Sequence, residues 1–505
     1  MFTSEFFKRV NYRFFLLFSS LILFFLSVIG PPDVKIHSLV LSLNIEQLKN
    51  LYLTSDQFIR MPDTTNRIIT FLFGLILLIW SSFVENGVKD NCNDYYDKIV
   101  KILLSLFLFS ILSTNNAYNI IAIILVFISI YFYIFHCKLN LERLEKYYLI
   151  SFILFFSFPF IHSNFISTSI QEVDNYTRFL IIIPIYLIIR QIRIEKEFFL
   201  YLVNASAIIL APLSILLYFD TDFRIRGYTS TATIYGNISI IFFLLTFVSI
   251  YYFKKYNYTY LVIPYIASLS ALLSWGLSGS RSSILPVLFI LIFMLFFKNT
   301  RKYLTPLFSR LGFSFILLLL LIFISSNSYQ RFMNISDGIT SVDSKSIHHW
   351  TSEDSIIPRL IIWDGSVEII KNNYLLGVGL DNFNKSLDEQ IKLKNIQPVR
   401  QDLKNPTAGL NHAHNQYLDI FVKTGVFGLG ILIIFIYINY YFFIEQINRK
   451  DDNIYAIFGL IVIMSYSLFM INHAVFSHHQ STIFMLFLLT LFAGLSRVNC
   501  HEDDV

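Results

Sequence analysis

The twelve residues from Phe313 to Ile324 read FSFILLLLLIFI, with Ser314 as the only polar side chain. Runs of this kind recur from one end of the chain to the other, and they set the solvent. In hydrocarbon every backbone N–H and C=O must be satisfied internally, which leaves only helices and closed barrels. A barrel strand alternates polar and apolar side chains over about ten residues, and these runs do not alternate. They predict membrane-spanning helices. Composition agrees, because charged residues make up 14% of the 505 residues and hydrophobic ones 55%. A soluble domain carries about 25% charged residues, so this chain has too little polar surface to coat a water-soluble globule.

Windows of about 20 apolar residues per crossing predict spans at 14–30, 67–84, 98–113, 118–136, 147–161, 177–192, 198–219, 234–253, 258–277, 282–297, 308–325, 425–443, 454–471 and 482–497. The first follows Lys8, Arg9 and Arg13 and resembles a signal peptide. Gly30, Pro31 and Pro32 make a poor cleavage site, so it reads as a retained helix. No internal repeat of 20–50 residues is evident. The fold class is therefore all-α, a polytopic bundle of 12–14 spans.

Basic residues set the orientation. Lys138, Arg143, Lys146, Arg190, Arg193, Lys196, Lys254, Lys255, Lys298, Arg301, Lys302, Arg449 and Lys450 all fall on the side of the N-terminal cluster, which predicts a cytoplasmic face with both termini on it. The opposite loops 114–117, 162–176 and 472–481 contain no Lys or Arg; the loop 31–66, with Lys35, Lys49 and Arg60, is outvoted. The net charge of +5 thus follows membrane topology and implies no nucleic-acid partner. Cys92, Cys137 and Cys500 show no metal or redox spacing and fall on the reducing side. The polar stretch from about 326 to 424 faces outward by parity. It reads as a helical cap, with helical pieces at 359–373 and 414–424. The chain divides into a two-helix extension (1–97), a membrane core (98–325), the cap (326–424) and C-terminal membrane helices (425–505).

Positive charge is scarce on the outer side of this core, and its exceptions are Arg178, Arg224, Arg226, Arg281 and Arg359. A guanidinium fork binds phosphate oxygens bidentately, so several arginines at one lipid boundary suit an anionic, membrane-embedded ligand such as a lipid pyrophosphate. The competing reading is headgroup snorkelling at helix ends. His412-Ala413-His414-Asn415 closes the cap, and histidine is the natural general base near neutral pH. A capping Asn beside exposed histidines, or a metal pair, would read the same way; no third ligand is evident, so no metal is expected. If 414–428 is one helix, Gly425 lies eleven steps beyond His414 and Gly428 is also near that face. The two glycines would then admit a neighbouring helix and fix the direction of His414. Asp220-Thr221-Asp222 is a weak metal–nucleotide motif on the wrong side. His348, His349, His473, His478 and His479 read as surface or interface residues.

Four segments, taken in order, resemble the bacterial O-antigen ligase family, within the wider O-antigen ligase and polymerase group. They are Arg224-Ile225-Arg226-Gly227-Tyr228-Thr229-Ser230-Thr231-Ala232; Ser278-Gly279-Ser280-Arg281-Ser282-Ser283; Arg359-Leu360-Ile361-Ile362-Trp363 with Gly377-Val378-Gly379 behind it; and His414-Asn415 followed after nine residues by Gly425-x-x-Gly428. The resemblance implies a fold like the membrane-embedded C-type glycosyltransferases with a periplasmic cap. It also implies a metal-independent enzyme, without cofactor, of a bacterial inner membrane. That enzyme would move a glycan from undecaprenyl pyrophosphate to a sugar hydroxyl of lipid A–core, among membrane lipids. His414, Arg281 and Arg359 would be catalytic: the imidazole takes the hydroxyl proton and the two arginines hold the pyrophosphate. Arg178, Arg224, Arg226, His412, Asn415 and Trp363 would contact substrate, and Gly425 and Gly428 would be structural. Direct attack by one hydroxyl on the anomeric carbon predicts inversion. An O-antigen or capsule polymerase, or a protein O-glycosyltransferase, would use the same donor. A transporter or lipid flippase would instead place ionisable residues at mid-span.

Overall fold

The computed structural model describes residues 92–498 apart from 115–116, 137–140, 167–172, 193, 222–223, 257–260, 281–282, 298–299, 309–356, 400–409 and 451. The expected spans 14–30 and 67–84 and the loop 31–66 lie outside the described residues, as do nearly all of span 308–325, Arg281, Asp222, His348, His349 and Cys500. Among the described residues there are thirteen α-helices and no strand. They are α1 (Cys92–Ser113), α2 (Ala117–His136), α3 (Arg143–Ile166), α4 (Asp174–Ile189), α5 (Lys196–Thr221), α6 (Ala232–Tyr256), α7 (Val262–Ser278), α8 (Ile284–Phe296), α9 (Ile357–Asn373), α10 (Phe383–Lys392), α11 (Gln416–Arg449), α12 (Ile454–Asn472) and α13 (His479–Val498). Helices α3, α5, α6, α11, α12 and α13 are long and apolar enough to cross a membrane, and four shorter helices are comparably apolar. The protein is a multi-pass membrane protein, and each expected span from 98 to 297 and from 425 to 497 coincides with a helix.

The helices cluster into two compact units. The first contains α1, α5, α6, α7 and a 3-10 helix at Arg301–Phe308. Its α6 is apolar around its whole circumference and almost wholly buried, as befits an interior helix. The few polar side chains inside are spent locally or across helices. Thr246 Oγ1 donates to the Phe242 carbonyl at 2.9 Å, Asn204 Nδ2 to Ser249 Oγ at 3.1 Å, and Ser268 Oγ to Thr246 Oγ1 at 3.0 Å. Such bonds between small side chains hold helices together where apolar burial gives no net drive.

The second unit contains α3, α4 and α9–α13. Its interior is aromatic: Phe155, Phe179, Phe435 and Phe476 meet with ring centroids 4.6–5.6 Å apart. Ion pairs fill one end. Arg190 Nε lies 2.8 Å from the fully buried Glu145, Tyr186 donates to the same carboxylate at 2.7 Å, and Glu142 pairs with Arg449 at 2.8 Å and with Arg497. Desolvation makes these charges costly alone, and Arg190, Arg449 and Arg497 each come with a carboxylate partner. At the other end α9 and α10 form a small cap. Ile362, Ile369, Phe383, Leu387, Ile396, Val399 and Leu410 pack into a core together with Val422 of α11.

The expectation of one continuous helix over 414–428 is corrected. Asn415 is the N-cap of α11, its Oδ1 accepting from Tyr417 N at 2.9 Å and Leu418 N at 3.1 Å, so the helix starts at Gln416. Gly425 then breaks it, with φ 69° and ψ −167°. The break leaves the carbonyls of Val422 and Lys423 without helical partners, and the segment 374–379 supplies new ones. Val378 N donates to Val422 O at 2.9 Å, Gly379 N to Lys423 O at 3.0 Å, and Val426 N to Tyr374 O at 2.9 Å. The glycine therefore admits the backbone of a loop, not a neighbouring helix. Gly428 abuts Thr424 of its own helix and the Phe158 ring.

Candidate functional site

The loop that enters α11 is clamped from both sides. Ala413 is fully buried; its N–H donates to Asp419 Oδ1 at 3.1 Å and its carbonyl accepts from Trp363 Nε1 at 2.9 Å. The clamp forces the next residue, His414, to φ 51°, a left-handed conformation rare outside glycine. Strain of this kind costs of order 1–3 kcal/mol and collects at functional sites. It turns His414 onto His412, with ring centroids 4.4 Å apart and planes at 81°. The His414 N–H donates to His412 Nδ1 at 3.3 Å, which leaves the His412 proton on Nε2.

Two further histidines join them. The turn between α12 and α13 brings the His478 ring to 5.7 Å from His412, and His473 stacks on His478 at 4.5 Å with planes 8° apart. His473 is 4% exposed, and its Nε2 has no hydrogen-bond partner. The sequence reading of His473 and His478 as surface or interface residues is thereby corrected. The sequence offers a signal for them, because the basic-residue pattern assigns 472–481 to the same side as the cap. Their spacing alone carried no motif.

Electrostatics keep all four rings neutral. Burial first, then the His478 imidazole and the Lys423 ammonium, pushes His412 down to about 3. Burial, the His412 imidazole and the Arg359 guanidinium push His414 down to about 3. Burial lowers His478 to about 4 and, with His478 beside it, holds His473 well below its ordinary value. A neutral imidazole can accept a proton. An anion placed beside Arg359 would cancel the charge that opposes protonation, so the base would strengthen when the ligand binds. Unfolded, these rings titrate near about 6.5. The native state is therefore fully favoured above that value and loses ground as pH falls, because the unfolded chain takes up protons that the native one refuses. The unfolding midpoint of the detergent-solubilised protein is expected to drop between pH 7.5 and pH 5, and His412→Gln to flatten that drop. A wild-type midpoint independent of pH over this range would contradict buried, neutral histidines.

The remaining expected residues divide between the units. In the second, Arg359 sits in the first turn of α9, one turn before Trp363, half-buried and with its pKa lowered by that burial. Arg178 is buried in α4 and donates to Asn175 Oδ1 at 3.0 Å. Trp363 holds the histidine loop through Ala413, which makes it a positioning residue. Trp363→Phe is expected to lower turnover about tenfold, with unfolding shifted by no more than about 1.5 kcal/mol, the worth of one hydrogen bond. Unchanged turnover would remove that role. In the first unit Arg224 donates to the carbonyls of Ser278 at 2.9 Å and Gly279 at 3.3 Å, bracing the turn in which Gly279 (φ 61°) ends α7. Arg226 is exposed, and its carbonyl accepts from Thr229. Among the described residues no group of His, Cys, Asp or Glu is arranged to hold a metal ion.

Comparison with known proteins places this geometry. An uncharacterized protein of Haemophilus influenzae is 28% identical over 400 residues, covering 76% of this chain and 95% of that protein. Residues 266–433 match the family described as O-antigen ligase, a stretch that contains Arg281, Arg359, Trp363, His412, His414, Asn415, Gly425 and Gly428. The clamped histidine loop and the helix break that follows it thus lie in the segment that is similar to the O-antigen ligase family, within a multi-pass membrane chain.

Proposed function

We propose that the protein is an O-antigen ligase that transfers a glycan from undecaprenyl pyrophosphate to a sugar hydroxyl of lipid A–core. The observation that carries this reading is the placement of His414 within the electrostatic reach of Arg359, in a clamped and strained loop inside the family-matched segment. A lipid-linked glycan transferase is what the family implies, and the finer assignment of acceptor is ours.

In this mechanism His414 removes the proton from the acceptor hydroxyl. The hydroxyl oxygen forms a bond to the anomeric carbon on the face opposite the leaving group, inverting the configuration. The bond from that carbon to the phosphate oxygen breaks, and its electron pair leaves with the pyrophosphate. Arg359 offsets the charge that grows there; such preorganised donors are a large part of catalysis. The glycosyl-phosphate bond supplies the energy, so no nucleotide is needed. The reading places the site at the outer face of the inner membrane. It rests on the loop charges and on the segregation of Arg190, Arg449 and Arg497 to the far end of the second unit from the histidines.

Deletion of the gene in its native host tests the assignment. A ligase mutant accumulates long lipid-linked polymer and leaves lipopolysaccharide without O-antigen. Lipopolysaccharide carrying a single repeat would instead identify a polymerase, and unaltered lipopolysaccharide would reject both.

A further inference from the structure

Beside the histidines, within the second unit, lies a chamber of about 370 Å³. Its wall includes Asn175, His412, Gln416, Asp419, Lys423 and Ser477. This volume is at the lower end for small-molecule sites; it suits a sugar residue or two and not a polymer.

The hydrogen bonds already made in the wall fix what it offers. Asn175 Oδ1 accepts from Arg178 Nη2 at 3.0 Å, and Gln416 Oε1 accepts from Phe476 N at 2.7 Å. Both amides have committed their oxygens, so their NH₂ groups remain to serve the chamber. His412 has committed Nδ1 to the His414 N–H, which makes Nε2–H its outward group. Asp419 is the one carboxylate in the wall. Its Oδ1 takes the Ala413 N–H at 3.1 Å and its Oδ2 takes Lys423 Nζ at 3.0 Å. The ammonium has three protons, and the carboxylate uses one. Hydroxyls such as that of Ser477 can donate or accept. Asn175, His412, Gln416 and Lys423 thus offer the chamber donors whose matching acceptors are spent inside the protein.

We propose that this chamber is a subsite for an acidic sugar, one bearing a carboxylate or a phosphate, held next to the His412–His414 pair. The inference deepens the transfer reading and rests on it for the identity of the substrate. The acid group can belong to the acceptor or to the donor glycan, since both carry sugars into the same site. Each hydroxyl of a neutral sugar brings a proton that also needs an acceptor, whereas an ionised acid group brings lone pairs and no proton and forms the stronger, charge-assisted bonds with a lining of donors.

Gln416→Glu tests this with little change of shape. It keeps an oxygen for the Phe476 N–H and turns an NH₂ group into a carboxylate oxygen facing the ligand. Asn175→Asp does the same from α4 and guards against a local folding defect. Calorimetric titration of the full chain in detergent with glucuronic acid, glucose 6-phosphate and glucose reads the site without any transfer reaction. Both acidic sugars are expected to bind wild type at least about tenfold more tightly than glucose, and either variant to remove that preference. Equal binding of glucose, no binding of the acidic sugars, or a preference that survives in both variants would overturn the proposal. In the transfer assay, Gln416→Glu raises KM about tenfold or more for whichever substrate bears the acid group, acceptor or donor, and leaves the other KM unchanged. Unchanged KM for both would also overturn it. A wild-type protein that binds acidic sugars but transfers nothing would instead refute the ligase reading.

Discussion

Replacing His414 with Ala is expected to cut glycan transfer by about 10²–10⁴-fold, the usual worth of a positioned general base. That corresponds to roughly 3–5 kcal/mol of barrier. The side chain is half-buried, and the bond from His414 to the His412 ring is made by the backbone N–H, so truncation keeps that bond. Histidine is enriched over alanine at positive φ, so alanine at φ 51° adds a small cost that is minor beside the catalytic loss. The unfolding midpoint should therefore stay close to wild type while turnover collapses. His414→Gln should fail equally, because the amide restores polarity and volume but no basicity. Transfer within a factor of three of wild type by either variant would assign the proton to another group.

Gly425→Ala is expected to destabilise the protein by about 3–5 kcal/mol. Its φ 69° and ψ −167° lie in a region open essentially to glycine alone, costing another residue about 1–3 kcal/mol. A Cβ there would also run into the Leu375 carbonyl, which is backbone and cannot rotate away. Any relief would pull the 374–379 segment off the carbonyls of Val422 and Lys423, one turn from Asp419 and the histidine loop it anchors. Gly430 provides the control. It lies in the same helix with nothing near its missing side chain, so Gly430→Ala should be neutral or slightly stabilising. Equal unfolding midpoints for the two variants in thermal melts would show that the helix break is not built on Gly425.

These two residues also show how far the sequence could be read. The period and length of the apolar runs located every described membrane helix, because lipid leaves a chain few alternatives and each span is decided locally. His414, Arg359 and the two glycines were recognisable as a pattern. What the glycines do was not, since the pattern fits an uninterrupted helix equally well. Only the partners of Val422 O and Lys423 O, on a segment about 45 residues earlier in the chain, reveal the break. His473 and His478 were passed over for a similar reason. A turn with two histidines has no diagnostic spacing, and its meaning comes from ring contacts with a loop some 60 residues away. Trp363 was legible as a site residue but not as a brace, because its role depends on one hydrogen bond to Ala413. Arg224 likewise spends its guanidinium on the backbone of Ser278 and Gly279, a use that its residue type could not announce.

His414 and Arg359 are assigned to one transfer, the imidazole at the acceptor hydroxyl and the guanidinium at the lipid-linked donor. The direct measurement is transfer in vitro by the purified full chain, given undecaprenyl-pyrophosphate-linked glycan and lipid A–core and followed by the mobility shift of the acceptor. Wild type should yield glycan-bearing lipid A–core without nucleotide or added metal, and both His414→Ala and Arg359→Lys should lose it, since a point charge cannot replace a bidentate fork. Near-normal product from both variants would contradict the account.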